Sequence, residues 1–457
     1  MTLMKQTWVG ELALMAIGAA LLGCSPDNNE TTNGLGEDDA GDNADGGTPE
    51  SPRGYAVVSG DYSVVSIGVL HPDGKLRERE IIHSGSAPAG LVTALSGDVD
   101  VADNATDPGV LTLIDRFRTD VITRLELASG DVLGQVKTHT PNSESIEDAY
   151  SSNPQAYLFV DDEHAWVTRY EPNPDVALSD IDRGADLFRL SPSAFERTED
   201  RIDFSDWNGE GERENPETGE TETVNVYARP AGMVRIGDYA AVGIDRMSIG
   251  FDAALSGMVA LVDLEAQEVV QMLELEGLQN CGDVNTVPND ETRVAVGCTG
   301  FYRGVQRDGA GLVMLELDGD ELSVEHVWRA KDHPDDALSM YGVCAISATE
   351  VTATSAGGVE QDDEGEPLQP NDELFVVDLE TGEQRSILDA GMSYVIGGAA
   401  YDASRELLLV PDATTDSGGE PSAGVRRYER QADGSFEELS ITKLDDILPP
   451  RRIRAFY

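Results

Sequence analysis

The chain has 457 residues, a length that size alone would divide into two or three domains, and 40% of them are hydrophobic, enough to bury a core. Its formal net charge is −54, from 32 basic and 86 acidic residues. A surface of that sign repels polyanions, which argues against nucleic acid and anionic lipid headgroups as partners.

In chain order, the first element is an address. Lys5 supplies a short positive region, and Leu12 to Leu22 is an apolar run of 11 residues. A bilayer span needs roughly 20 apolar residues, so this run is too short to cross. It ends in Leu21-Leu22-Gly23-Cys24, which resembles the bacterial lipobox. The resemblance implies removal of residues 1–23, a lipid on the Cys24 thiol and a bilayer as partner through that anchor. Ser25 after the cysteine, rather than an acid, favours sorting to the outer membrane. Residues 24–53 follow as a tether with eight acids and almost nothing apolar. Such a segment buries too little surface to offset its ordering entropy.

Only five basic residues are Lys, so 27 of the 32 are Arg. Adaptation to high salt and a GC-rich genome each account for that bias.

From Tyr55 onward the chain cycles through short apolar strands separated by turn residues. The strands that close a unit end in an acid and a turn, as in Met258-Val259-Ala260-Leu261-Val262-Asp263 and Leu374-Phe375-Val376-Val377-Asp378. The segment Leu448 to Tyr457 reads like the opening strand of a unit, comparable with Ala87 to Ala94 and Arg229 to Ile236. The unit starting at Tyr55 lacks that strand, so the chain's far end is expected to supply it and close a ring. Units of this length with four strands each predict an all-β, seven-bladed β-propeller of antiparallel blades over residues 54–457. The expected blades are 54–85 (completed by 447–457), 86–140, 152–206, 226–277, 278–332, 338–391 and 392–446. In the second, 97–108 reads either as a long loop or as a displaced strand. The strand cycle resembles the YVTN and quinoprotein-like propellers of bacterial surface and periplasmic proteins.

Each blade's strands are called a to d from the axis outward. The a–b and c–d turns are short, whereas b–c connections look long at 169–184, 245–257, 299–310, 355–372 and 411–423, as does the d–a insert at 206–226. The b–c and d–a connections share one face of a propeller, so the binding face is expected there.

Three cysteines remain after Cys24. Cys281 and Cys298 flank a predicted hairpin turning at Asn289-Asp290 and are equidistant from its midpoint, so a disulfide is expected. Such a bridge contributes about 3 kcal/mol in the chain-entropy account. Cys344 falls in an inner strand and is expected to be a buried free thiol.

Several b strands end on the expected binding face in a polar series: Asp61-Tyr62, Asp115-Arg116, Arg169-Tyr170, Asp245-Arg246 and Tyr302-Arg303. Converging over the channel mouth, Asp61, Asp115, Arg116, Arg169, Asp245, Arg246 and Arg303 would suit a small carboxylate or phosphate ligand, because the guanidinium fork binds such groups bidentately. Alternatively the Arg and Asp pair with one another and rigidify the loops. His83, His139 and His333 fall near d–a loops and offer zinc or copper ligands, although they belong to blades that are not all neighbours. Acid clusters at 362–366 and at Asp412 and Asp416 offer calcium ligands, with solvated loops as the alternative. No phosphate loop, His-Glu-x-x-His or Gly-x-Ser-x-Gly elbow is present.

The reading is a lipid-anchored propeller at the cell envelope that binds a ligand or an envelope protein on its long-loop face. Two alternatives remain: a metal- or cofactor-dependent enzyme (a lactonase-like hydrolase or quinoprotein-like oxidoreductase), and a structural envelope protein.

Overall fold

The computed structural model describes residues 52–457 apart from 103–106, 117, 141–149, 174–181, 216–217, 302–305, 334–339, 356–370, 415–423 and 445–447. The leader 1–23, Cys24 and the tether up to residue 51 lie outside the described residues, as do Arg303, Asp416 and the acids at 362–366.

Seven antiparallel sheets form the seven blades of a β-propeller. The ring is closed by the C-terminal strand. Pro450–Phe456 pairs with Gly54–Gly60, placing Gly54 opposite Phe456 and Val57 opposite Ile453, and Val65–Leu70 and Leu76–His83 complete that first blade. Burial explains the apolar runs. Strands b and c are covered by a neighbouring blade on each side, so Gly54–Gly60, Val65–Leu70, Glu350–Ser355 and Leu407–Pro411 are buried throughout. The outer strands Leu76–His83 and Phe436–Thr442 are largely exposed and carry charge, because one edge meets water.

Successive side chains of a strand point to opposite faces, so one strand serves two interfaces. Ala56, Val58 and Phe456 pack with Val99, Val101 and Leu113 of the second blade. Tyr55, Val57 and Ile453 pack with Leu407, Leu409 and Val425 of the seventh. With Ile453 committed to the seventh blade, Arg452 and Arg454 fall on the other side, with Phe456, toward the second.

Three expectations are corrected. The segment 87–94 is not a strand, and the inner strand of the second blade is the short Val99–Val101. Pro88 has no N–H, Gly90 takes a left-handed φ of +88°, and the amides of Val92 and Thr93 donate to the Gln135 side chain instead of a ladder. The b–c connection at 299–310 is largely ladder: Asp290–Phe301 and Gln306–Asp318 run on as an extended hairpin, with Thr299 opposite Ala310. The insert at 206–226 also folds. Gly209–Glu214 pairs with the first half of the 16-residue strand Thr221–Ile236, whose second half is the inner strand of the fourth blade.

Cys281 and Cys298 are joined, with an S–S distance of 2.07 Å. Cys281 sits just before the inner strand Asp283–Val287, and Cys298 lies in the facing strand. Cys344 is a buried free thiol that burial pushes up to about 12.

Candidate functional site

A cavity of about 520 Å³ occupies the axis where the inner strands of all seven blades meet. Its lining includes b–c residues Tyr62 and Arg116 and d–a residues Gly97, Asn280, Gly282 and Tyr394, so it belongs to the face expected from loop length. Small residues let the backbone approach the axis: a Cβ on Gly397 would lie 2.1 Å from the Arg451 carbonyl oxygen, and one on Gly97 would lie 2.3 Å from that of Tyr62.

Four arginines reach the cavity. Three come from the closing strand, Arg451, Arg452 and Arg454, and Arg116 comes from the second blade. Arg452 pairs with Asp100 at 3.1 Å. Burial opposes the Asp100 charge, but the guanidinium groups of Arg452, Arg454 and Arg116 outweigh it and hold its carboxyl below the usual range. Arg116 grips Asp98, with Nε at 3.0 Å from Oδ1, and donates to Gln155 at 3.2 Å. Arg451 donates to the carbonyls of Gly60 and Tyr394 and stacks over the Tyr62 ring, 5.2 Å from its centroid. Among the described residues, neither Arg451 nor Arg454 has a carboxylate within ion-pair distance.

Opposite these cations, Asp245 lines the cavity from the fourth blade and accepts the Tyr170 hydroxyl at 3.1 Å. Burial pushes its carboxyl up to about 7. Asp283 accepts the Val343 amide at 2.8 Å, which ties the fifth blade's inner strand to the sixth.

Of the site residues expected from sequence, Arg116 and Asp245 line the cavity. The rest do other work. Asp61 accepts the amides of Ser63 and Val64 in its own turn, and those bonds lower its pKa. Asp115 is buried, binds Ser96 through both amide and hydroxyl, and is pushed up to about 6 by burial. Arg169 is 0% exposed and clamps Asp186 through two bonds of 2.7 Å, with Phe188 against its guanidinium. Arg246 turns away toward the Ser256 carbonyl and Glu274. Arg169 with Asp186, and Arg116 with Asp98, are paired as the second alternative expects, while Arg116 and Asp245 also line the cavity.

The three histidines do not converge. His139 is buried edge-on against Tyr150, with burial lowering its pKa to about 4, and His333 stacks on Trp328. His83 is part of the first blade's outer strand. Among the described residues no group of three or more His, Cys, Asp or Glu side chains is placed to hold a metal ion. Asp412 is taken by Arg426 at 2.5 Å.

Reading the b-strand ends missed the closing-strand arginines, the rim tyrosine Tyr394, and Asp98, Asp100 and Asp283. One signal for the first was available: Arg451, Arg452 and Arg454 are three cations in four residues of an acidic chain, on the one inner strand that arrives from the other end.

No protein-family model and no curated protein matches the chain. Solved structures similar to it include a putative 6-phosphogluconolactonase from Bacteroides fragilis, at 11% identity over 90% of this chain and 99% of that one, with a TM-score of 0.47. The Cps50 (Swd1) β-propeller domain of Myceliophteria thermophila is 10% identical over 80% and 91%, with a TM-score of 0.47. Hydrazine synthase of Kuenenia stuttgartiensis is 10% identical over 81% and 95%, with a TM-score of 0.44. At such identities none of these activities transfers.

Proposed function

We propose that this protein is a binding module, held at the outer membrane by a lipid on Cys24, whose axial cavity takes a small anionic ligand. The observation that carries the reading is a local concentration of arginine, four of them against the four aspartates Asp98, Asp100, Asp245 and Asp283 that line the same cavity. In a chain of net charge −54, four arginines surround one cavity, and two of them have no carboxylate within ion-pair distance among the described residues. An arginine fork in a partly desolvated cavity binds a carboxylate or phosphate through charge-assisted hydrogen bonds.

Calorimetric titration with small carboxylates and phosphates tests the site. Saturable binding that Arg454→Ala weakens at least tenfold is expected, and the absence of binding by any anion would overturn the reading. The anchor has its own test. The natural protein should partition into detergent and Cys24→Ala should remain in the aqueous phase; equal partitioning would remove the anchor.

One observation favours a second, hydrolytic reading. Asp245, with its carboxyl near neutrality beside Tyr170 in the cavity, has the proton affinity of a general acid–base group. Turnover in a lactone and ester screen, abolished by Asp245→Asn, would promote it, and no turnover would remove it.

A further inference from the structure

The charges that line the axial cavity do not all cancel locally. Arg452 pairs with Asp100, and Arg116 with Asp98. Among the described residues, Arg451 and Arg454 have no carboxylate, and Asp283 has no cation, within ion-pair distance. Asp283 accepts neutral donors instead, the Val343 amide at 2.8 Å and the Asn285 side chain at 2.9 Å.

The ring sets where these charges stand. Arg451 and Arg454 lie on the closing strand Pro450–Phe456 of the first blade, and Asp283 opens the inner strand Asp283–Val287 of the fifth. In a ring of seven blades, the fourth and fifth stand across the axis from the first. Asp245 reaches the cavity from the fourth, close to Asp283: burial pushes its carboxyl up, and the Asp283 charge adds to that. The cavity therefore has an excess of positive charge on one side of the axis and of negative charge on the other. Arg451 is already engaged by the Gly60 and Tyr394 carbonyls and the Tyr62 ring, which leaves Arg454 to meet a carboxylate.

A ligand that fills the cavity strips water from both sides. A carboxylate at Arg454 answers one side only, and Asp283 is then desolvated without a counter-charge, which is unfavourable. A positive group on the same ligand removes that penalty. At about 520 Å³ the cavity has the size of a small-molecule site. Because the two sides face each other across the axis, the ligand's two charges must be set apart.

Resting on the anion-binding reading above, we propose that the ligand is a zwitterion with its carboxylate and ammonium at opposite ends of a short chain. The carboxylate meets Arg454, and the ammonium meets Asp283 and lies near Asp245.

The test is calorimetric titration of the full mature chain in detergent, with 4-aminobutanoate, 6-aminohexanoate and glycylglycine as probes. Butanoate, hexanoate, hexylamine and glycine are the controls. At least one probe should bind tenfold or more tightly than every control, a comparison made on the natural protein and independent of any variant. Asp283→Asn, which keeps an acceptor for the Val343 amide, should weaken that probe at least tenfold. Hexanoate binding should be held or tightened in the same variant, because a negative charge has gone, and its retention shows that the variant is folded. Arg454→Ala should weaken the probe and hexanoate alike. Any control matching the best probe, or a probe affinity indifferent to Asp283→Asn, overturns the zwitterion proposal. Carboxylate binding that Arg454→Ala still weakens then leaves the anion site standing, and no binding by any carboxylate, the probes included, removes both.

Discussion

Arg169 in the third blade and Arg454 in the closing strand are the same side chain in two settings. Arg169 is fully buried, its fork is filled by Asp186, and Phe188 covers its plane. Arg454 lines an axial cavity and has no carboxylate within ion-pair distance among the described residues. Arg169 lies on the second strand of its blade and Arg454 on an inner strand, one step nearer the axis. What separates their roles is whether the fold supplies a counter-charge. A neutralised guanidinium is part of the frame, and one left open to the cavity is available to a ligand.

The hardest way to break this comparison is to remove the strand that carries one side of it. Deleting residues 450–457 strips the first blade of its inner strand and uncovers Tyr55 and Val57, both 0% exposed. Thermal melting by circular dichroism should then show no cooperative transition. A sharp native-like melt would mean that the ring does not depend on its closure.

Next comes the buried arginine. Arg169→Ala leaves buried Asp186 with Arg201 Nε, at 2.9 Å, as its remaining counter-charge, so the cost in denaturant unfolding is expected at the low end of a broken buried pair, about 3 kcal/mol, with anion affinity unchanged in whatever fraction folds. Arg454→Ala should show the reverse, a stability change within about 1 kcal/mol and at least tenfold weaker anion binding. Equal stability costs would erase the distinction between the two arginines.

The cavity wall formed by Asn280, Gly282, Asp283 and Thr299 flanks the Cys281–Cys298 bridge. Replacing both cysteines by Ser should lower unfolding stability by about 3 kcal/mol. The loss should leave the Arg452–Asp100 side of the cavity intact, so anion affinity should fall less than it does in Arg454→Ala.

The last effect concerns Asp245, whose carboxyl burial pushes up to about 7 in the folded chain from about 3.9 unfolded. Between those values the native state binds the extra proton. Stability is therefore full below about pH 4 and is lost as pH rises toward 7. Asp245→Asn should flatten that slope and be more stable than the natural protein at pH 8. Asp115, raised to about 6, will leave a residual slope of the same sign. An unchanged profile on denaturant titration at pH 5 and pH 8 would show that Asp245 stays ionised.

The ring closure was legible in the chain because a strand displaced to the other terminus keeps its unit's pattern, and Leu448 to Tyr457 keeps it. The blade count was legible for the same reason, since strands covered on both sides must be apolar throughout and their spacing repeats. The segment 87–94 misled because its Pro-Ala-Gly start matches that of a true opening strand at 229–236. The side chain of Gln135, 43 residues beyond Val92 and 42 beyond Thr93, takes the amides that a ladder would have used.

The face that carries the cavity was legible in the chain, but most of the residues that line it were not. The alternation of apolar runs and turn residues determined the strands, the blades and the closure, because burial between blades acts on each strand locally. Which arginine is neutralised and which is left open was decided only when seven inner strands met at one axis. Asp186 reaches Arg169 from the next strand, while Arg454 arrives from the far terminus at a cavity lined by all seven blades. Those distances are properties of the closed ring, and no stretch of the chain shorter than the ring contains them.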